Sequence, residues 1–421
     1  MIIMLMNEIL FSNIFLTLLI LSCATEVYLS IRQNNSAIKH SLTVPNDFKK
    51  IIKIKDHTKA AAYTSAKTKI NIAGLIVQAL FLYVITLGGW INELNAILSA
   101  YLSSEIIQGV ALILIIMILS SLIELPLGLY KTFVVDEKFG FNKMTISLFI
   151  SDLFKQSIVS LIIVIPVIYI ALWIFGNLGE SWWIWLWVFF SIFNVVMLAV
   201  YPLYIAPLFN KFNPMVDKEL KSKIEILLKK CGFESDGLFV MNGSLRSTHG
   251  NAYFTGFGKA KRIVFFDTLL ERLTHNEILA VLAHELGHFA HNHVKKRIFA
   301  LFLISFVGLY LLDFLKTNEW FYFGLGVTEQ SNATALLLFV LISPLVLFFI
   351  RPIMAFYSRK NEYEADAYAC KYTPASDLKN SLIKLYRDNA STLTPDNLYS
   401  AFYDSHPPAI ARIGALERQK K

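Results

Sequence analysis

Long apolar runs alternate with polar segments along the whole chain. From them we predict seven membrane spans, at about residues 9–29, 70–91, 106–130, 149–175, 182–206, 297–315 and 332–350. Each run is long enough to cross the ~30 Å hydrocarbon core of a bilayer as a helix that rises about 1.5 Å per residue. The first run differs from a secretory signal because no basic segment precedes it and because it is long for the apolar part of such a signal.

The spans divide the chain into four parts. We expect five spans and their loops over 1–206, a polar domain over 207–296, a hairpin of two spans over 297–357 and a polar tail over 358–421. In the polar domain, the short apolar runs Leu238–Met241 and Arg262–Phe266 predict strands of a small β-sheet. Residues 251–258 between them are predicted to be extended and to end in a glycine turn. They could pair with an incoming peptide or form an ordinary hairpin, and the sequence favours neither.

The composition is that of a multispanning membrane protein. Of the 421 residues, 55% are hydrophobic and 17% are charged, and the mean hydropathy is +0.53, whereas soluble domains contain about 25% charged residues. The three cysteines, Cys23, Cys231 and Cys370, lie far apart and form no Cys-x-x-Cys pair. They therefore predict neither a disulfide framework nor a thiolate metal site.

The net charge of +8 is better explained by loops that face the cytosol than by binding to nucleic acid. Basic residues are concentrated at 30–69, 131–148 and 207–296 and after the last span. The alternate loops, at 92–105, 176–181 and 316–331, contain five glutamates and Lys316 as their one cation. Because positively charged loops stay in the cytosol, we place the N-terminus outside and the polar domain and C-terminus inside. We expect a lipid bilayer as a partner, and no nucleic acid.

The polar domain contains the motif His284-Glu285-Leu286-Gly287-His288. Thr274 and Glu277 precede it with the spacing of a capping box, which predicts a helix that begins at about Thr274. On that helix the two histidines lie one turn apart on the same face and can bind one ion. Glu285 can reach a metal-bound water without binding the metal. This arrangement is typical of zinc peptidases, and a chance match on an ordinary helix is the alternative.

The residue types in this motif suit the chemistry of peptide hydrolysis. Zinc held by three protein ligands lowers the pKa of a bound water to about 7 and polarises the carbonyl under attack. A carboxylate then accepts the proton and passes it to the leaving amine. We therefore predict one zinc ion per chain, with His284 and His288 as ligands and Glu285 as the general base.

A third zinc ligand is not evident near the motif. A histidine six residues after His288 would complete one known pattern, but position 294 is valine. His291 and His293 are poorly spaced for the same ion, and we interpret them as polar residues at the membrane interface. The third ligand is therefore expected further along the chain.

Glu362, on a second predicted helix, is the candidate for that ligand. Asp366 lies one helical turn further on the same face and could accept a hydrogen bond from a ligating histidine. Glu364 faces another way, and we interpret it as a solvated charge. Two spans separate the motif from Glu362, so both lie on the same side of the membrane. Lys295 follows His288 by seven residues, about 10 Å of helix, which places the site at the cytosolic interface.

The segment Ser405-His406-Pro407-Pro408 places a histidine in a rigid turn near the end of the chain, and Arg412 follows it. A late histidine could donate a hydrogen bond to the oxyanion that forms on the carbonyl under attack. A histidine before two prolines more often has a structural role, so the residues alone leave both interpretations open.

Taken together, these segments resemble the integral-membrane zinc endopeptidases of the CAAX prenyl protease 1 family. The resemblance spans most of the chain in matching order and rests on residues 132–142, 246–254, 261–270, 284–288, 361–366 and 405–408. It implies a predominantly α membrane protein, with seven transmembrane helices around an intramembrane chamber and a cytosolic zincin-type metalloprotease domain. It also implies cleavage after the prenylated cysteine of a C-terminal Cys-aliphatic-aliphatic-x sequence, with release of the last three residues.

The resemblance also implies roles for single residues. By this resemblance, His284, His288 and Glu362 bind zinc, and Asp366 supports a ligand. Glu285 is the catalytic base, and His406 donates to the oxyanion. Asn251 binds substrate, and Arg412 is a weaker candidate for the same role. For His406, the resemblance favours the catalytic interpretation over the structural one.

Two other functions stay open at this point. A zinc protease that clears damaged membrane proteins would use the same chemistry, and a transporter could contain a structural zinc. A structural site would more often use cysteines and be closed, with no use for Glu285. The C-terminus, Arg418-Gln419-Lys420-Lys421, lacks the lysine spacing of an endoplasmic reticulum retrieval signal, which favours a bacterial inner membrane.

Overall fold

Long apolar helices make up the first half of the protein. The computed structural model describes residues 2–255 and 262–418, with side chains for all of these except 2–6 and 255. The first half forms α1 (Ile2–Lys39), α2 (Ile54–Ile85), α3 (Trp90–Tyr101), α4 (Glu105–Tyr130), α5 (Ile146–Asn177) and α6 (Trp182–Val200). Two π-helical segments, Lys131–Asp136 and Tyr201–Ile205, extend α4 and α6.

The second half combines further helices with one small sheet. Its helices are α7 (Ala206–Phe209), α8 (Lys218–Lys230), α9 (Asp267–Leu270), α10 (His275–Ala290), α11 (His293–Lys316), α12 (Glu319–Phe323), α13 (Asn332–Phe348), α14 (Arg351–Tyr372), α15 (Ala375–Asp388), α16 (Asn397–Tyr403) and α17 (Ala409–Arg418). Its strands are β1 (Phe212–Pro214), β2 (Leu238–Met241), β3 (Ala252–Thr255) and β4 (Arg262–Phe266). The division of the chain at 206, 296 and 357 stays a prediction.

Six helical stretches in the described residues are long and apolar enough to cross a membrane. They are Asn7–Lys39, Ile54–Ile85, Glu105–Asp136, Ile146–Asn177, Gly179–Phe209 and His293–Lys316. Each corresponds to one of the predicted apolar runs. The run at 70–91 extends beyond its helix, because the chain turns after Ile85 and passes through a left-handed Gly89 with φ of 83° before α3 begins.

The seventh predicted span is broken rather than straight. α13 and α14 are bent by 64° and qualify as a span only when they are taken together. Pro352 lies in the first turn of α14, where its missing N–H is tolerated, whereas the ring would clash with a continuing helix. The bend redirects the chain, and α14 then packs along α10.

Two hydrophobic cores hold this arrangement together. In the helical bundle, Trp182 stacks on Phe175 with ring centroids 3.6 Å apart, and its Nε1 donates to Asp313. In the second core, Phe265 of the sheet and Ile278 of α10 are fully buried. Because each such side chain contributes about 1.5–3 kcal/mol when it is buried, the second core fixes α10 against the sheet.

The sheet has the strand order β1-β2-β4-β3. β2 and β4 are parallel, whereas β1 and β3 pair antiparallel with β2 and β4. The predicted strands Leu238–Met241 and Arg262–Phe266 are therefore confirmed. The predicted extended segment is β3 over Ala252–Thr255, while its expected glycine turn at 256–258 lies outside the described residues. β3 is an edge strand.

Candidate metal centre

The capping box predicted at Thr274 begins the helix that carries the motif. The Thr274 side chain accepts a hydrogen bond from the backbone N–H of Glu277, and the Glu277 carboxylate accepts one from the N–H of Thr274. α10 then buries Ile278, Leu282 and Leu286 in the second core. Because these residues turn one face of α10 inward, the histidines are presented to α14.

A glycine in the motif allows α10 and α14 to approach closely. A Cβ atom at Gly287 would lie 2.8 Å from the Cα of Ala365 and 3.0 Å from its carbonyl oxygen. Contacts this short are not tolerated, so a larger residue at Gly287 would push the helices apart. Ala365 is itself fully buried and lies three residues after Glu362. The crossing therefore brings Glu362 to the level of the two histidines.

The three predicted ligands converge between these helices. His284 Nε2 lies 3.2 Å from His288 Nε2 and 3.4 Å from Glu362 Oε2, and His288 Nε2 lies 3.3 Å from Glu362 Oε1. Ligand atoms around a tetrahedral zinc with bonds of about 2.0–2.1 Å lie roughly 3.3 Å apart. Within the described residues, Glu362 Oε2 is buried without a hydrogen bond. One cation would satisfy these four atoms, so the donor set fits zinc.

Asp366 and Arg412 support the zinc ligand His284. Asp366 Oδ1 lies 2.7 Å from His284 Nδ1, and Arg412 donates to both Asp366 oxygens at 2.8 Å. Protonated Nδ1 leaves Nε2 free for a metal. Burial and the Arg412 charge lower the pKa of His284, but the carboxylates of Asp366 and Glu362 outweigh both and raise it to about 9. These two carboxylates would therefore stabilise a cation bound at Nε2.

Arg412 lies behind the metal ligands rather than on an open surface. Only 4% of the residue is exposed, and its Nη1 lies 3.4 Å from Glu362 Oε2. A substrate contact by Arg412, which the sequence suggested as a weaker possibility, stays a prediction. The contacts that are described tie it to Asp366, to Glu362 and to the ring of His284.

His293 and Glu364 support the second ligand, His288. The sequence did not predict this support. His288 Nδ1 lies 3.0 Å from His293 Nδ1, and His293 Nε2 lies 3.0 Å from Glu364 Oε2. If Glu364 accepts from His293, then His293 accepts from His288, and His288 Nε2 is free for a metal. His293 is a buried link, so the interfacial role expected for it was wrong. Glu364 keeps 34% of its side chain exposed and also accepts from His293.

The turn between α10 and α11 explains why His293 was misjudged. Asn292 adopts the left-handed conformation, with φ of 56°, which asparagine tolerates better than most residues. The turn ends α10 and points His293 back at the motif, although regular helical spacing would carry it away. An asparagine four residues after His288 was the signal available in the sequence.

The predicted base and the predicted oxyanion donor both lie close to the ligands. Glu285 makes no hydrogen bond or ion pair in the described part of the chain, and burial raises its pKa against the opposing charges of His284 and His288. His406 Nε2 lies 3.5 Å from Glu362 Oε1. Although 61% of its side chain is exposed, desolvation lowers the pKa of His406, Glu362 opposes this and Arg412 adds to it.

Asn251 lies at the start of the edge strand β3, and the contacts described for it are with its own sheet. Its side chain is exposed, and its Oδ1 accepts a hydrogen bond from the N–H of Ala252 at 2.8 Å. Its carbonyl oxygen accepts from Phe266 of β4 at 3.0 Å. The position suits a contact with an extended chain, although substrate binding by Asn251 stays a prediction.

Comparison with known proteins assigns most of the chain to known families. Residues 33–211 match the family model "CAAX prenyl protease N-terminal, five membrane helices", and residues 214–420 match that of peptidase family M48. The Arabidopsis thaliana CAAX prenyl protease 1 homolog is 35% identical, with 94% of this chain and 95% of that protein covered. The chain belongs to the CAAX prenyl protease 1 family. It is therefore a membrane zinc metallopeptidase.

Other members of the CAAX prenyl protease 1 family are similar over most of their length. The Saccharomyces cerevisiae CAAX prenyl protease 1 is 35% identical over 85% of each chain, and the Homo sapiens homolog is 32% identical over 94% of this chain and 93% of its own. The crystal structure of S. mikatae Ste24p has a TM-score of 0.90 at 33% identity and covers 97% of this chain and 99% of that one. The predicted fold is thereby confirmed.

Gly287→Ala tests the close crossing of the two helices. We expect the added methyl group to separate α10 from α14, to lower the free energy of unfolding by about 1–3 kcal/mol, and to reduce zinc content. Gly414→Ala, in α17, is the matched control, because a Cβ there meets no atom within 4 Å. Thermal unfolding and zinc analysis of both purified variants measure the difference. Equal zinc content and stability in the two variants would contradict the crossing argument.

Glu364→Ala tests the support of His288. Loss of the acceptor frees His293 to rotate, so we expect zinc affinity to fall about 10–100-fold while the fold is retained. Competition with a zinc chelator measures the affinity. Glu271→Ala, which removes an exposed carboxylate before α10, serves as the control. An unchanged affinity in Glu364→Ala would mean that His293 only packs beside the motif.

Proposed function

We propose that this chain binds one zinc ion through His284, His288 and Glu362 and cleaves peptides after a prenylated cysteine. The substrate would be a C-terminal Cys-aliphatic-aliphatic-x sequence, from which the last three residues are released. The observation that carries the proposal is the convergence of three ligand side chains beside a carboxylate, Glu285, that none of the described residues engages. The names of the relatives, CAAX prenyl protease 1, support the substrate class.

In the proposed mechanism, Glu285 moves the proton. When bound, zinc makes an attacking water more acidic and polarises the scissile carbonyl. Glu285 takes up the proton of the attacking water and delivers it to the leaving amine, a role that its raised pKa suits. His406 donates its N–H to the oxyanion. Asp366, with Arg412, holds His284 in the tautomer that leaves Nε2 unprotonated.

We propose that the substrate lies as an added strand along β3. The outer edge of β3 pairs with no strand among the described residues, so its free N–H and C=O groups can hold an extended peptide. Asn251, exposed at the start of this strand, would bind the peptide backbone. We also propose the division into a membrane part and a protease domain at 206, 296 and 357, which the alternation of apolar and polar runs supports.

We propose further that the metal centre faces the cytosol and that the N-terminus lies outside. The basic loops support this orientation. A bacterial inner membrane stays the predicted location, whereas the relatives described above come from eukaryotes. A peptide C-terminus would then approach from the cytosol, with its prenyl group in the bilayer.

Glu285→Gln tests the catalytic base. We expect the variant to retain one zinc per chain and to lose activity on a farnesylated peptide by about 10²–10⁴-fold, because the amide cannot carry the proton. Zinc analysis and mass spectrometry of the peptide products measure both effects. Glu271→Gln is the matched control, and Glu362→Ala should lose the zinc itself.

Three outcomes would overturn the proposal. Full peptide cleavage by Glu285→Gln would exclude Glu285 as the base. No turnover of the farnesylated peptide by wild-type protein, with degradation of an unfolded membrane protein instead, would favour the quality-control protease. Cleavage of neither substrate by zinc-loaded wild-type protein would favour a transporter with a structural zinc.

Cysteine labelling tests the orientation. In a variant without Cys23, Cys231 and Cys370, we expect an impermeant maleimide to label Ser104→Cys but not Asn46→Cys in intact cells. Both positions are exposed, and they lie in neighbouring loops on opposite sides of the predicted bundle. The reverse pattern would place the metal centre outside.

A further inference from the structure

A cavity of about 610 Å³ lies beside the metal centre. His406 lines it, and His406 Nε2 is 3.5 Å from the ligand Glu362. The other walls come from α1, α2, the start of the π-helical segment after α4, and the chain between α15 and α17. The cavity thus connects the metal centre with the helical bundle.

Two lysines, Lys67 and Lys131, line this cavity. Neither makes an ion pair or a hydrogen bond in the described part of the chain. The Lys67 ammonium lies 4.1 Å from the centre of the Tyr63 ring, and the Tyr63 hydroxyl donates to Asp136 at 2.7 Å. Asp136 keeps its negative charge and attracts the Lys67 ammonium through space. Among the described residues, neither of the two like charges in this cavity has a carboxylate in direct contact with it.

The remaining polar groups of the cavity do not neutralise the lysines. Asp404 is the one carboxylate among the described lining residues, and it belongs to the wall that holds His406. Arg359 donates to the Asp404 carbonyl at 2.9 Å, which adds another positive charge beside it. The lysine side of the cavity is thus set up for an anion.

The position of the lysines relative to the metal centre is fixed by the packing of α2. Thr64 Oγ1 lies 2.7 Å from Thr392 Oγ1, which joins α2 to the wall that carries His406. Lys67 follows Thr64 by three residues, about 4.5 Å along the helix. Lys131 begins a π-helical segment, and such segments are frequent at functional sites.

We propose that Lys67 and Lys131 bind the free α-carboxylate at the C-terminus of the peptide substrate. The inference rests on the proposed function and deepens it. Three residues beyond the scissile bond span at most about 10–11 Å, so an anion site in the cavity that touches the metal centre would fix the length of the released peptide. Ammonium–carboxylate hydrogen bonds are stronger than neutral ones.

The test compares two farnesylated peptides that differ only at the C-terminus, one a free acid and the other a primary amide. We expect wild-type protein to prefer the acid about tenfold or more in kcat/KM, and Lys67→Gln/Lys131→Gln to reduce the preference to near one. Lys67→Arg should retain a preference, because the charge is kept. Lys69→Gln, on the same helix but exposed outside the cavity, is the control and should behave as wild type.

Binding to zinc-loaded Glu285→Gln separates this inference from the proposed reaction. We expect calorimetry to detect tighter binding of the acid than of the amide, and the double lysine substitution to remove the difference. If wild-type protein cleaves neither peptide while this binding difference is present, the reaction fails and the carboxylate site stands. Equal handling of acid and amide by wild-type protein, or a preference retained in a double variant with normal zinc content, would overturn the site.

Discussion

The contact between Gly287 and Ala365 is the constraint on which the metal centre depends. Zinc ligands from two helices must lie roughly 3.3 Å apart, a separation that two helices reach only when no side chain stands between them. Gly287 removes that side chain at the point where a Cβ would meet the backbone of α14. The two histidines lie on either side of this crossing along α10, and Glu362 lies one turn before it on α14. The motif therefore encodes a helix contact as well as two ligands.

The membrane helices deliver these two helices to one place. α11 leads from the motif into the bundle, and α13 leads out of it to the bend of 64° before α14. Two passes through the membrane return the chain to the side from which it left, so α10 and α14 can pack. The same packing leaves a cavity between α2 and the chain between α15 and α17, and His406, Lys67 and Lys131 are among the residues that line it. One arrangement of helices thus forms both the metal centre and this cavity.

Much of this arrangement could be predicted from local signals. Spacing and residue type predicted the capping box at Thr274, the strands β2 and β4, and the apolar runs. The family resemblance predicted the overall fold. The link from His288 through His293 to Glu364 was missed, because it depends on a left-handed Asn292 that reverses the local direction of the chain. The bend before α14 was also missed, although Pro352 was its local signal. The burial of Arg412 could not be predicted, because it depends on the packing of α17 against α14, which is distant in sequence.

X-ray absorption spectroscopy of the zinc-loaded protein is the most direct measurement of the central claim. The account predicts one zinc per chain, two imidazole nitrogens and carboxylate oxygen at about 2.0–2.2 Å, and no sulfur ligand. The spectrum should be unchanged when Cys23, Cys231 and Cys370 are replaced by serine. A zinc–sulfur distance of about 2.3 Å, or the absence of histidine scattering, would contradict the account.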